Sequence, residues 1–438
     1  MSLKDKASLI FKPSRYKSGK AYSFRGSDVT VSRSSVGTRV NAEGKIEEVA
    51  ANMPRINYDT ADLTKCPVLL TEKDSENRVL KNDTIYAVAG TTTKKVESPF
   101  RENDAFAIYE DSSAGQHYGR VQANVVSGNT YCISFYVKRG TAKQIICYTQ
   151  SSSIASSLQI TFSGDVPVLN GSGSNFVSNS EGYEHVYNGW YRVWYQAYCY
   201  NSQSSMDIYI CPQNLNSYTG DTNIFTSYYG FQVELGLDKP SSLIITTGSI
   251  ATRADETVSA SSPITGARGS FYFNLNKMDT IGYGTTVPTI ALYKTNTTTG
   301  AIGLLDNNTT QGEMRAMARI NGSLYYYNTH FSAPNGVKMC FVWDSNDSET
   351  KAYKNGVLWG TVGVSFTQTL SDGLVLNAST RENFLEYEEV LVYNERLSEA
   401  EAIALTSYDD YEELVDRNDL TWESPTITNN RLTALKEL

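Results

Sequence analysis

The stretch Trp190–Tyr200, WYRVWYQAYCY, constrains the chain more than any other, because aromatic and β-branched residues without helix caps or turn residues read as a strand. Successive side chains of a strand point to opposite faces. Trp190, Arg192, Trp194, Gln196 and Tyr198 therefore share one face, and Tyr191, Val193, Tyr195, Ala197 and Cys199 the other. The second face, free of charge, is expected to face a core. Trp194, Arg192 and Tyr198 are the candidate binding group, since flat rings stack on the C–H faces of pyranoses. An interface with a sister subunit would use the same residue types.

The same pattern recurs along the chain. Tyr131–Lys138 reads as a strand with Gln144–Thr149 as its neighbour across the Gly140 turn, and Met206–Cys211 and Tyr229–Leu235 follow. Further on, Gly269–Leu275 alternates strictly, and Thr289–Tyr293, Glu313–Ile320 and Ser323–Tyr327 come next. Asn321-Gly322 fits a two-residue hairpin turn. Val337–Trp343 is expected to pair with Thr350–Tyr353, and Asn355-Gly356 to turn into Val357-Leu358-Trp359, where Trp359 is a further glycan-binding candidate. Leu385–Asn394 closes the series. Ser398 with Glu401 forms a capping box opening a helix over Glu399–Ser407. The expected fold is mostly β: an irregular N-terminal module over 1–80, antiparallel β-sandwiches over 81–262 and 263–407, and a helical or extended tail over 408–438. The N-terminal module, dense in turns, is expected to need a partner surface or neighbouring subunits to bury its apolar residues.

Bulk charge excludes some functions. The chain carries a net charge of −9 and no Lys/Arg run able to track a phosphate backbone, so nucleic-acid binding is not expected. No apolar run approaches membrane-spanning length. The early apolar run Ala7–Phe11 is far shorter than a signal-peptide core, so synthesis in a cytoplasm is expected. The six cysteines sit singly with no C-x-x-C, which speaks against zinc and redox motifs and for buried thiols rather than disulfides.

Catalytic signals are sparse. Glu386 and Glu388 lie two apart on a strand and would project from one face, as a retaining glycosidase needs. Concanavalin-like glycosidases use an E-x-D-x-x-E pattern, whereas E-x-E-E here, Glu386 to Glu389, brings no third carboxylate into register. His117, His185 and His330 are scattered, have no triad partner and are expected at the surface. Asp306-Asn307-Asn308 could ligate calcium but reads first as a turn. No enzyme activity and no cofactor are expected.

The segment Arg33–Tyr58 follows the pattern R-S-x-x-x-T-R-V-N-x-x-G-x-I-E-x-V-x-x-N-x-P-R-x-x-Y at every position, preceded by DKASLIFKPSRYKSGKAYSFRG and followed by LLTEKD. This resembles the N-terminal region of a family of tailed-bacteriophage virion appendage proteins, the head or tail fibres and spikes. The usual LLxEPQxTN follow-up is kept only in part. Asn188–Val193 (NGWYRV), Gly230–Gly236 and Ile250–Asp255 resemble carbohydrate-binding-module jelly rolls, which implies a structural Trp190, and KAYKNGVLWG with EEVLVYNERLSEAE resembles concanavalin-like or laminin-G-type ones. The resemblance implies a structural virion protein, located in the virion and homo-oligomeric, a trimer before a dimer. Arg33, Arg39, Asn41, Gly44, Asn52, Pro54, Arg55 and Tyr58 would form its attachment motif to other virion proteins, and the sandwiches would engage host-surface glycans. The residues by themselves also fit Arg33, Arg39 and Arg55 stapling a compact segment through buried fork-shaped donors. A polysaccharide depolymerase using Glu386 and Glu388, and a capsid decoration protein, are the alternatives.

Overall fold

Strict alternation of apolar and polar residues turns into sheets with one buried face each, and such faces must meet in pairs. In the computed structural model they do so twice. It describes residues 3–407 except 18–19, 151–155, 200–203, 214–215, 282–287, 295, 307–312, 334 and 378–381. The expected tail over 408–438 and Asn307-Asn308 lie outside the described residues.

In the first sandwich, one sheet runs in the order Thr91–Val96, Ala105–Glu110, Phe225–Leu235, Asn129–Lys138, Trp190–Cys199, Gly182–His185. The facing sheet contains Val166–Ser172, Ser156–Ser163, Gln144–Gln150, Ser205–Cys211, Tyr118–Asn124 and Tyr86–Ala89. Tyr191, Val193, Tyr195, Ala197 and Cys199 enter the core between them, as their alternation requires. Gln144–Gln150 is not the hairpin partner of Asn129–Lys138. It belongs to the facing sheet, between Ser156–Ser163 and Ser205–Cys211. The intervening turn docks on a third strand instead: the Thr141 and Ala142 amides donate to the Phe225 carbonyl, at 3.0 and 3.2 Å. A Cβ at Gly140 would lie 2.1 Å from that carbonyl oxygen, so the chain passes there only as glycine and crosses to the other sheet.

In the second sandwich, the strands Glu382–Tyr393, Arg268–Ile281, Val337–Asp344, Thr350–Lys354 and Val357–Val362 lie side by side. They face a sheet built from Met314–Ile320, Gly300–Asp306, Pro288–Lys294, Gly373–Leu376 and Thr257–Ala260, among others. The two hairpins fall where Asn-Gly pairs predict them. Asn321 and Gly322 have φ of 49° and 84°, and Asn355 and Gly356 47° and 83°, the left-handed values of a two-residue turn. The helix Glu399–Ser407 starts at its capping box, with the Ser398 amide donating to Glu401 at 2.9 Å, and buries Ala402 and Leu405 on the outer face of the sheet.

Residues 1–80 find their partner surface in both sandwiches of the same chain. Leu9–Phe11 and Leu69–Glu72 pair along one edge of Glu382–Tyr393, and Thr30–Ser32 pairs with Thr257–Ala260. Leu9, Phe11, Ile56 and Leu69 thereby enter the second core. The hairpin of Gly37–Val40 and Ile46–Val49 leans the other way. Ile46 packs with Tyr136, Trp190 and Tyr229 on the outer face of the first sandwich. Trp190 is 1% exposed and structural, as expected.

Candidate functional site

The strands that carry the acidic cluster are irregular where the cluster sits. Asn274 pairs with Glu389, Leu275 with Tyr387 and Lys277 with Glu386, so Glu388 and Asn276 are each left out of the ladder. The core face shows the same slip: Leu385, Tyr387, Val390 and Val392 point inward, as do Phe273, Leu275 and Met278. A bulge on each strand breaks the two-residue period. It turns Glu386, Glu388 and Glu389 to one side, with Asn274, Asn276 and Lys277 beside them. Alternation alone predicts Glu389 on the opposite face, and the bulges overturn that.

These side chains form one wall of a cleft of about 1010 Å³ between the two sandwiches, lined also by residues 38–40, 57–60 and 64–67. Glu386 is 3% exposed and accepts from the Asn276 and Asn57 amides, at 2.7 and 3.4 Å. Burial pushes its carboxyl up, against the opposing pull of Lys277 and Asn276. Glu388 accepts from the Asn274 amide at 2.6 Å, and Glu389 faces Lys12 at 3.6 Å.

The other wall belongs to the first sandwich and carries Arg192, Trp194, Tyr183, Glu184 and His185. Trp194 is half-buried and stands opposite Gly182 on the neighbouring strand. A Cβ at Gly182 would come within 2.3 Å of the indole, so the missing side chain is what lets the ring lie across that strand. Arg192 is 3% exposed; its guanidinium donates to the Ser134 hydroxyl at 3.2 Å and lies 5.3 Å from the Tyr136 ring centre. Its Nε is buried without a hydrogen-bond partner.

The remaining candidates lie apart. Tyr198 is half-buried on the same strand but does not line the cleft. Trp359 sits in the second sandwich, edge-on to Phe331 at 5.7 Å with the Lys354 ammonium 3.5 Å from its ring centre. Strand alternation puts Tyr198 with Arg192 and Trp194, and the fold leaves it outside their cleft.

The resemblance motif folds into a clasp. Arg33 and Arg55 are buried and both meet Glu256, with the Arg55 Nε donating at 3.0 Å. Arg55 also reaches Glu72 at 2.5 Å, and Arg253 lies 3.3 Å from the same carboxylate. Burial acts to raise the Glu72 carboxyl, but Arg253, Arg55 and the Ser242 hydroxyl overcome it and hold it at about 2. Asn52, at φ 59°, accepts from the Arg33 amide at 3.0 Å, and Pro54 beside it is buried. Asn41 accepts from the Glu43 and Lys45 amides across a turn that Gly44 closes at φ 80°. Arg39 pairs with Glu47 at 2.6 Å, and both Arg39 and Tyr58 line the cleft.

Two expectations are corrected. His117 is 0% exposed, packed 4.6 Å from the Tyr218 ring, and not a surface residue. Gly90 and Gly220 lie so close to it that only glycine fits. Cys66 is exposed and lines the cleft, whereas the other five thiols are buried. Among the described residues no group of three or more His, Cys, Asp or Glu is placed to hold a metal ion.

No family model matches the chain, and no curated protein sequence does. Parts of it are similar to several solved structures, three of which follow. A heptameric SAP-like pentraxin from Limulus polyphemus is 14% identical over 32% of this chain and 70% of that one, with a TM-score of 0.24. The CBM40 of a Ruminococcus gnavus IT-sialidase, bound to α2,3-sialyllactose, is 15% identical over 33% of this chain and 84% of that one, with a TM-score of 0.24. A candidate carbohydrate-binding protein from Bacteroides ovatus is 9% identical over 68% and 82%, with a TM-score of 0.21. At such TM-scores these likenesses bear no functional conclusion, which rests on the cleft itself.

Proposed function

We propose that the chain is a non-enzymatic saccharide-binding protein whose ligand lies in the cleft between its sandwiches. The observation that carries this reading is the convergence there of a half-buried indole, Trp194, with the guanidinium of Arg192 and the carboxylate–amide pairs of the facing wall. A flat apolar ring with polar groups around it matches the two-sided chemistry of a pyranose. The chain's setting follows from Arg33–Tyr58, whose resemblance to tailed-phage appendage proteins supports a virion fibre or spike subunit bound to other virion proteins. A homo-oligomer, a trimer before a dimer, would raise weak single-site affinity by ~10²–10⁴ through multivalency.

Glycan microarrays and calorimetry with the full chain test the binding. Trp194→Ala should abolish it, and Tyr148→Ala, on the outer sheet of the same sandwich, should leave it intact. Equal binding by the Trp194→Ala variant, or silence of the native chain on every saccharide, defeats the reading. Electron micrographs of phage particles labelled with an antibody to this chain test the setting, and unlabelled particles from a lysate containing the protein reject it.

A polysaccharide depolymerase is the second reading, favoured by the buried, charge-disfavouring environment of Glu386 in the same cleft as Glu388. It predicts reducing-end release from host capsule by the native chain, lost in Glu388→Gln. No release by the native chain excludes it.

A further inference from the structure

Three of the large buried arginines meet glutamates: Arg33 meets Glu256, Arg55 meets Glu256 and Glu72, and Arg253 meets Glu72. Arg192 is buried to the same degree, yet among the described residues no carboxylate oxygen lies within 4.0 Å of it. Its neutral contacts are the Ser134 hydroxyl and the Tyr136 ring, and its Nε has no acceptor. Glu184, opposite it in register on the edge strand, and Glu234 favour its charge from a distance, but the Glu184 side chain is exposed and neither forms an ion pair with it. A buried guanidinium is costly unless an anion meets it. Arg192 lines the cleft beside Trp194, so the place where an anion would meet it is the place where a sugar ring would stack.

The facing wall does not compete for that position. Glu386, Glu388 and Glu389 belong to the second sandwich, and the Asn276, Asn274 and Lys12 side chains already meet them. They are hydrogen-bond acceptors for the hydroxyls of a ring held between the walls.

We infer that the cleft selects carboxylate-bearing saccharides, of the uronic- or sialic-acid class, with the sugar carboxylate on Arg192 and the ring's C–H face on Trp194. The inference rests on the cleft being a saccharide site. The fork of a guanidinium matches a carboxylate with two parallel donors, which an ammonium does not reproduce.

The test uses the full-length native chain against oligogalacturonate, hyaluronan oligosaccharides and sialyllactose, each beside its carboxyl-reduced or methyl-esterified counterpart. At least one acidic probe should bind about tenfold or more tighter than its neutral counterpart, the difference expected of one charge-assisted contact. This comparison changes the ligand only, so it stands even where a variant folds poorly. Arg192→Lys, with its melting temperature recorded, should lose most of that preference. Neutral and acidic forms binding alike, in a Trp194-dependent manner, overturn the inference and leave the saccharide reading standing. An acidic preference undiminished in Arg192→Lys also overturns it. Absence of binding to every probe, acidic or neutral, brings down both.

Discussion

The Asn276 amide donates to the Glu386 carboxylate at 2.7 Å across two strands that each carry a bulge. That contact places a buried carboxylate beside a neutral donor. Burial raises the Glu386 carboxyl above the ordinary glutamate value of 4.5. The folded chain therefore holds this proton more tightly than the unfolded chain. The contribution to stability is full below that ordinary value and is lost as pH rises through the raised one. Glu386→Gln keeps the shape and removes the charge. It should be more stable than the native chain at pH 8, and no more stable at pH 4. Urea midpoints at the two pH values check this, and a difference that does not change with pH contradicts it.

The buried clasp behaves oppositely. Glu72 is held at about 2, so its contribution is present above the ordinary value of 4.5 and is lost as pH falls toward 2. Glu72→Gln should flatten the acid limb of a pH-stability profile over that interval. Arg55→Met should cost about 3–5 kcal/mol at neutral pH, because it removes the cation that Glu256 and Glu72 share and leaves them only Arg33 and Arg253 in the interior. Deleting residues 1–80 removes Arg33, Arg55 and Glu72 together with strands of both sheets of the second sandwich, and the remainder should be recovered insoluble.

Thiol reactivity reports on the cleft. Cys66 is exposed there, while burial pushes the Cys147 and Cys211 thiols up to about 12 and raises those of Cys132, Cys199 and Cys340 as well. A maleimide should label one site in the folded chain at pH 7 and six in urea, as counted by intact mass. The labelled protein should lose saccharide binding with its melting temperature unchanged.

Gly182→Ala tests how the indole is positioned. The added methyl meets the Trp194 ring at 2.3 Å, so the ring must shift. Saccharide affinity should fall about tenfold or more, with an altered tryptophan emission and near-native stability. An affinity equal to the native chain's would show that the ring's placement does not matter.

Local chemistry made much of the fold legible in the sequence. The alternation in Trp190–Cys199 assigned its core face correctly, because a strand has only two faces and one carried no charge. The two Asn-Gly turns and the Ser398–Glu401 box are likewise local, each set by a few consecutive residues. Arg192 and Trp194 were legible as a pair for the same reason.

Tight turns, the helix start and the two faces of Trp190–Cys199 are set by near neighbours along the chain and can be read from the residues alone. Which distant segments meet is a property of the folded chain. Folding wove residues 1–80 into both sandwiches, put Gln144–Gln150 in the facing sheet, buried His117, and brought Glu386 and Glu388 opposite Trp194. The physical reason is that pairing register and bulges depend on the partner strand, and no residue carries its partner's position in its own side chain.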